Sequence, residues 1–230
     1  TVDDLGFLIG PIINSGGRLN SSNYGVELLS TDNLEIIKDR SRKLIALNNK
    51  RKIIEQNILD KINFEKIKKE NKNVIIYYKE NLNEGLIGII ASRLKDYFNK
   101  PSIVITKSNN RFKASARSTV RYNIGNLIKL LIDNKIIDSG GGHNMAAGFT
   151  MKKNNIKLLD NFIQKDFLKK ISDKDNTNNY DFEISSSVIK TKFTYGINKL
   201  GPFGNYNFLP IFLIKNLKVI KLDVIKNKHI

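Results

Sequence analysis

The stretch with the densest chemistry is Ser139-Gly140-Gly141-Gly142-His143-Asn144-Met145-Ala146-Ala147-Gly148-Phe149. Three successive glycines expose backbone amides that no side chain shields, and a histidine follows at once. Small residues then allow a helix to start against a neighbour. Such a run can seat a phosphate or another anion. The plain alternative is a tight turn ahead of a strand.

Ser115-Ala116-Arg117-Ser118 is a second candidate. On a strand, Ser115 and Arg117 share one face, opposite Ala114 and Ala116. Two hydroxyls and a guanidinium at one strand end can hold phosphate oxygens through charge-assisted hydrogen bonds. An exposed strand end without a ligand fits the segment equally well. Asn14-Ser15-Gly16-Gly17-Arg18 is a third, in which a glycine pair brings an arginine to a phosphate or simply makes a turn. Phe203, Tyr206 and Phe208 lie among glycines and could stack on bases, although aromatics at this density more often fill a core.

Metal chemistry has little support in the chain. His143 and His229 are the only histidines, and no Asp-x-Asp follows an apolar strand. Asp173 and Asp175 sit in a polar, turn-rich segment. No phosphate-binding Walker loop, nucleophile elbow or zinc spacing occurs. The absence of cysteine excludes disulfides, thiolate metal sites and a cysteine nucleophile, and fits a reducing cytoplasm.

The whole chain is strongly basic, with 39 Lys and Arg against 22 Asp and Glu, for a formal net charge of +17 over 230 residues. That excess points to a polyanion, with nucleic acid ahead of a membrane surface. The abundance of Lys, Ile and Asn is also what an AT-rich genome would produce. No apolar run is long enough to span a bilayer. Thr1-Val2-Asp3-Asp4 has neither an initiator Met nor a signal-peptide pattern, so the chain is expected to begin inside a longer protein.

The elements that would position these residues follow from periodicity. Residues 1–32 read as glycine turns with a short helix from Tyr24 to Leu29. Residues 33 to about 70 lack Gly and Pro, and Ile37, Leu44, Leu47, Ile54, Ile58 and Ile62 form one apolar stripe of a long helix. Lys38, Arg40, Arg42, Lys43, Lys50, Arg51 and Lys52 are expected on its solvated faces. Residues 73–152 alternate strands at 74–78, 102–106, 111–117 and near Phe149 with helices at 85–98 and 124–132, the pattern of an α/β sheet domain. A helix over 154–171 and a polar linker precede strands at 180–184, 209–214 and 217–222, with a helix near 188–200 between them.

Several segments, in order, resemble the RecJ-type single-strand-specific exonucleases of the DHH phosphoesterase superfamily. Leu8-Ile9-Gly10-Pro11-Ile12-Ile13-Asn14-Ser15-Gly16-Gly17-Arg18-Leu19 is similar to the end of that family's catalytic domain. Gly85-Leu86-Ile87-Gly88-Ile89-Ile90-Ala91-Ser92-Arg93-Leu94 is similar to one of its helices. Ser115 to Ser118 and Gly140 to Gly148 resemble the two signatures of the DHH-associated domain. Leu200-Gly201-Pro202-Phe203-Gly204 through Phe212 resembles the entry into its OB-like domain. The expected fold is therefore α/β: the tail of a catalytic domain (1–32), a connector helix (33–72), a mixed-sheet DHH-associated domain (73–172) and a partial OB-like β domain (180–230).

The resemblance implies a cytoplasmic enzyme that degrades single-stranded DNA from the 5′ end with Mn²⁺ or Mg²⁺ in repair and recombination. Single-strand-binding protein or a helicase would be its partners. It places the metal ligands and the catalytic motifs before Thr1, so no metal is expected on these residues. Ser115, Arg117, Ser118 and Gly140, Gly141, Gly142 and His143 would contact substrate phosphates, with His143 an accessory to catalysis at most, and Asn14 and Arg18 would line the same cleft from the other side. Three departures stand out: Ile12 in place of an arginine, Leu82-Asn83-Glu84-Gly85 in place of Trp-His-Pro-Gly, and Gly204-Asn205-Tyr206-Asn207 without the usual second Gly and Asn-Pro. Two other assignments compete: a phosphodiesterase for short oligonucleotides or cyclic dinucleotides, and a non-catalytic nucleic-acid-binding subunit.

Overall fold

The computed structural model describes residues 2–170, 179–204, 207–218 and 220–222. The chain divides into two compact units, Asp3–Asp175 and Asn176–Ile230, the latter with Thr1–Val2.

The larger unit opens with a π-helical turn, Asp4–Ile9, that runs into α1 (Gly10–Leu19), followed by α2 (Asn23–Ser30) and α3 (Leu34–Leu59). The glycines expected to make turns near the start instead lie inside α1, because Gly16 is a contact point. A Cβ on it would sit 2.6 Å from the Ser21 carbonyl oxygen and 3.3 Å from Leu44. Beside it the buried Ser15 hydroxyl lies 2.6 Å from the Ile12 carbonyl oxygen and 3.0 Å from that of Leu44, fastening α1 to α3. The long helix expected over 33–72 is also two helices. It stops at Leu59, and α4 (Phe64–Glu70) starts after Asn63, whose side chain accepts from the Lys66 amide at 2.9 Å. Between them Ile62 turns inward to 5% exposure.

A five-stranded sheet follows, in the order β1-β2-β3-β5-β4: β1 is Ile75–Tyr78, β2 Ser102–Ser108, β3 Arg111–Arg117, β4 Ser139–His143 and β5 Ala146–Met151. β1 and β2 are parallel, joined through helix α5 (Ile87–Phe98), and every other pair is antiparallel. Helices α6 (Ile124–Asp133) and α7 (Ile156–Lys170) cover one face, where Ile103, Ile105, Phe112, Phe149, Leu127 and Leu131 form the main core. On the other face α5 packs Ile87, Ile90 and Leu94 over Ile75 and Val104. Beyond α5, the same face of β5 and β4 is bare: Gly148, Ser139, Gly141 and His143 are all exposed.

The glycine run therefore opens no helix. It is strand β4, joined to β5 through Asn144 and Met145, and the small residues after His143 belong to β5. No glycine among the described residues has a positive φ, so the run forms no left-handed anion nest.

In the smaller unit, β6 (Phe182–Glu183) pairs in parallel with β7 (Phe212–Leu213), and α8 is Thr191–Asn198. Phe212 meets Phe182 and Phe193 at centroid distances of 6.3 and 5.3 Å. The strand expected over 209–214 shortens to β7, and the described residues of 217–222 carry no strand.

Candidate nucleic-acid interface

Register places the candidate residues on one face. Ser102 pairs with Arg117, Arg117 with Ala146, and Ala146 with His143, so one rung runs from β2 to the sheet edge. The next rung is Val104, Ser115, Gly148, Gly141. Ser115 and Arg117 thus share a face with Gly148, Gly141 and His143, and adjacent strands lie about 4.8 Å apart. A Cβ on Gly141 would meet nothing within 4 Å. The result is an open ledge with a hydroxyl and a guanidinium on β3, a Cβ-free floor and an exposed imidazole at the rim.

The other two glycines of the triplet have a different job. Gly140 and Gly142 point to the α6 face, where a Cβ would lie 2.7 Å from Phe149 Cβ and 2.5 Å from the Ala146 carbonyl oxygen. They let helix and hairpin approach.

Beside the ledge, α5 begins at a close junction. A Cβ on Gly88 would sit 3.0 Å from an Arg117 Nη and 3.1 Å from Ser115 Oγ, so the bare helix surface makes room for both side chains. Arg117 Nη1 donates to Ser115 Oγ at 3.1 Å and to the Ala116 carbonyl at 2.8 Å. The Ser115 proton stays available to a ligand, as do the other guanidinium donors of Arg117. Gly85 is pressed against the backbone of Arg18, where a Cβ would come within 2.2 Å of its carbonyl oxygen, and Arg18 Nη1 donates to the Gly85 carbonyl at 3.0 Å.

Burial, and then the neighbouring Arg18 charge, hold the Arg117 guanidinium below its ordinary pKa. Arg18 is lowered likewise by burial and by Arg51, with Glu55 opposing. Among the described residues neither Arg18 nor Arg117 has a carboxylate within ion-pair distance. Two half-buried guanidiniums without a carboxylate at ion-pair distance have donors that an anion can use.

From Arg18 a cleft of about 480 Å³ continues between α1, α3 and α5, lined among others by Asn14, Asn48, Arg51, Lys52 and Arg93. Arg18 lines this cleft and packs on Gly85, three residues before Gly88, which touches Arg117 and Ser115 on the ledge side. A cavity of about 400 Å³ at the far end of α5 also holds lysines, but Lys72 is paired with Asp160 and Lys100 donates to the Lys72 carbonyl.

Comparison with known proteins gives the family of this fold. Residues 71–169 match the DHHA1 domain and residues 180–230 the RecJ OB domain. The "single-stranded-DNA-specific exonuclease RecJ" of Haemophilus influenzae is 29% identical over 215 residues, 85% of this chain and 37% of that protein. The Escherichia coli protein of the same name is 32% identical over 164 residues, 68% of this chain and 28% of that one. This is a RecJ-type chain. In fold it is similar to Thermus thermophilus RecJ solved with Mg²⁺, with a TM-score of 0.72 and 21% identity over 91% of this chain and 32% of that one. The chain spans about a third of the length of the curated RecJ relatives it matches.

Within this RecJ-type frame, the structure brings Ser115, Arg117, Gly141 and His143 to the ledge, and Asn14 and Arg18 to the cleft. Ser118 departs from expectation. It is 1% exposed, its hydroxyl donates to the Tyr122 carbonyl at 2.5 Å, and its amide donates to the Met145 carbonyl at 2.8 Å. Its hydroxyl is spent on closing the loop between β3 and α6, with no donor left for a phosphate. Gly140 and Gly142 depart too, since they face α6. In the RecJ OB portion Phe208 is 76% exposed, Phe203 is half-buried and Tyr206 lies outside the described residues, as does His229.

Two contributors escape a reading of the sequence. Arg51, expected on a solvated face, is 9% exposed, beside Asn48 and Glu55. The signal is present: Leu44, Asn48, Arg51 and Glu55 recur at helical spacing, so the buried stripe turns polar. Arg93 lies on the exposed flank of α5, where only its apolar neighbours carry a pattern.

Proposed function

We infer that this chain is the DNA-gripping part of a single-strand-specific 5′–3′ exonuclease that works in repair and recombination. The observation that carries this reading is the placement of Arg18 and Arg117, both half-buried and without a carboxylate within ion-pair distance, against Gly85 and Gly88 at the start of α5, between a basic cleft and a bare glycine ledge. A phosphodiester is the anion that suits it. Planar guanidiniums bind two phosphate oxygens at once, and Ser115 can donate to a third. Gly141 and Gly148 let a sugar-phosphate backbone lie against the sheet without steric conflict. A flexible single strand can follow this path from cleft to ledge.

Among the described residues no group of three or more His, Cys, Asp or Glu could hold a metal ion. The role of this chain is to bind and orient the strand, and hydrolysis needs the metal-bearing part of the enzyme. No helix among the described residues is long and apolar enough to cross a membrane. A cytoplasmic enzyme, handed its substrate by a helicase or by single-strand-binding protein, is in keeping with this role. The RecJ OB match favours this reading over a phosphodiesterase for short oligonucleotides.

Fluorescence anisotropy with a 5′-phosphorylated oligodeoxynucleotide tests it. The 230-residue chain should bind single strands better than duplex, with affinity falling steeply as salt rises. Salt-insensitive binding, or none, overturns the reading. Incubation with Mn²⁺ should release no nucleotides, and robust hydrolysis would overturn the assignment to grip alone.

A further inference from the structure

We propose that Glu55 is a positioning residue for the DNA grip: one buried carboxylate, standing behind the cleft wall, that aims Arg51 and Arg93 at the strand. The proposal rests on the gripping reading above. Glu55 is 5% exposed, on α3. Its Oε2 accepts from Arg51 Nη1 at 2.6 Å and its Oε1 from Arg93 Nε at 2.8 Å. Arg51 comes from the same helix one turn earlier and Arg93 from α5, so the carboxylate bridges two elements. Asn48 completes the set by accepting from Arg51 Nε at 3.0 Å. Arg51, Arg93 and Asn48 line the cleft, whereas Glu55 does not.

The two arginines differ in what remains free. The Arg51 side chain is 11% exposed and that of Arg93 59%, so Glu55 holds Arg93 only by its Nε edge and leaves the outer guanidinium nitrogens to solvent. A flexible arginine would lose side-chain entropy on binding, and prior fixation removes that cost. The charge balance supports the same role. Four cations line this cleft — Arg18, Arg51, Lys52 and Arg93 — and Glu55 is the acid that touches two of them. It lets like charges be assembled while the cleft stays positive overall.

Position and charge predict opposite signs for one substitution, which makes the proposal easy to break. Glu55→Gln removes a negative charge from behind a site for a polyanion. If Glu55 acts only through charge, DNA binding tightens. If it acts by position, binding weakens, because an amide has one acceptor oxygen for two arginine donors and turns its NH₂ against the other.

The experiment is anisotropy of the 230-residue chain with a single-stranded oligodeoxynucleotide across a salt series, with thermal melting alongside. Expected for Glu55→Gln are an affinity at least ~10-fold lower and a salt slope shallower by about 0.7 for each phosphate that is no longer neutralised. Equal or tighter binding by the folded variant overturns the proposal. Should Glu55→Gln melt below the assay temperature, Arg93→Lys serves instead. It keeps the charge but lacks the Nε–H edge, and several-fold weaker binding is expected. Unchanged affinity in Arg93→Lys would then overturn the proposal. Failure of the unaltered chain to bind overturns the gripping reading and this proposal together. Binding by the unaltered chain with no loss in the variant overturns this one alone.

Discussion

The sheet has two halves, and they are built to different ends. Across β1 and β2, helices lie on both faces, and Ile103, Val104 and Ile105 in mid-strand are fully buried. Across β5 and β4, α6 and α7 cover one face and the other carries Gly148, Gly141, Ser139 and His143 in the open. β3 belongs to both, so Ala114 and Ala116 face the core while Ser115 and Arg117 face out, beside the edge of α5. On the proposed reading, the missing layer is where the DNA strand lies. A third layer over β5 and β4 would have added apolar burial and closed the sheet surface that brings arginine, serine and bare backbone together. If the open half grips the strand as proposed, stability and grip are separated along one sheet, and substitutions should separate them too.

The largest effect is expected in the covered half. Leu94 is fully buried on the sheet-facing side of α5, and Leu94→Ala should cost about 2–5 kcal/mol of stability in urea unfolding. The molecules that stay folded should bind single-stranded DNA as before. Equal losses of affinity and stability would mean the halves are not separable.

Arg117→Ala should do the reverse. Removal of a charge-assisted hydrogen bond worth about 1.5–3 kcal/mol lowers DNA affinity by roughly 10- to 100-fold. The same change relieves repulsion from Arg18 and the burial of a charge, so the melting temperature should stay level or rise. Calorimetry and anisotropy on one preparation check both signs, and a destabilised Arg117→Ala would make this arginine a structural member.

Ser118→Ala sharpens the boundary between the halves. The hydroxyl donates to the Tyr122 carbonyl in a buried setting, so its loss leaves that carbonyl unsatisfied, at about 1–3 kcal/mol. Affinity of the folded protein should change less than about twofold, because the hydroxyl does not reach the ledge. A tenfold loss at full stability would restore Ser118 to the site.

How much of this is legible in the sequence depends on which force fixes each residue. Strand β3, helices α5 and α6 and the alternation that puts Ser115 with Arg117 are readable, because apolar periodicity reports burial on one face. The break between α3 and α4 is not, because it depends on an Asn63 cap inside a run with no Gly or Pro. Arg51 and Glu55 are hidden for a deeper reason. A buried ion pair spends charged residues on positions that pattern-reading assigns to apolar ones, and its partner Arg93 lies 38 residues away from Glu55. The glycine run is half legible. Its composition signals close approach, but only the register can say what approaches.

That split gives the smallest and most local test, inside the triplet itself. Gly141 faces the ledge and Gly142 faces the hairpin. Both are extended, so a Cβ is tolerated by the backbone at either position and only the surroundings differ. Gly142→Ala would bring a methyl to 2.5 Å from the Ala146 carbonyl oxygen and from Ala147 Cβ, and should cost about 1–3 kcal/mol as overpacking. Gly141→Ala meets empty space, and by restricting the unfolded chain should leave stability equal or up to about 1 kcal/mol higher. Its cost should appear only when DNA is added, as a few-fold weaker affinity from a methyl standing where the strand lies. Unchanged affinity in Gly141→Ala would mean that the strand does not cross the ledge at this rung. The DNA path would then run from Arg117 back into the arginine cleft, and the open half of the sheet would owe its bareness to some other ligand.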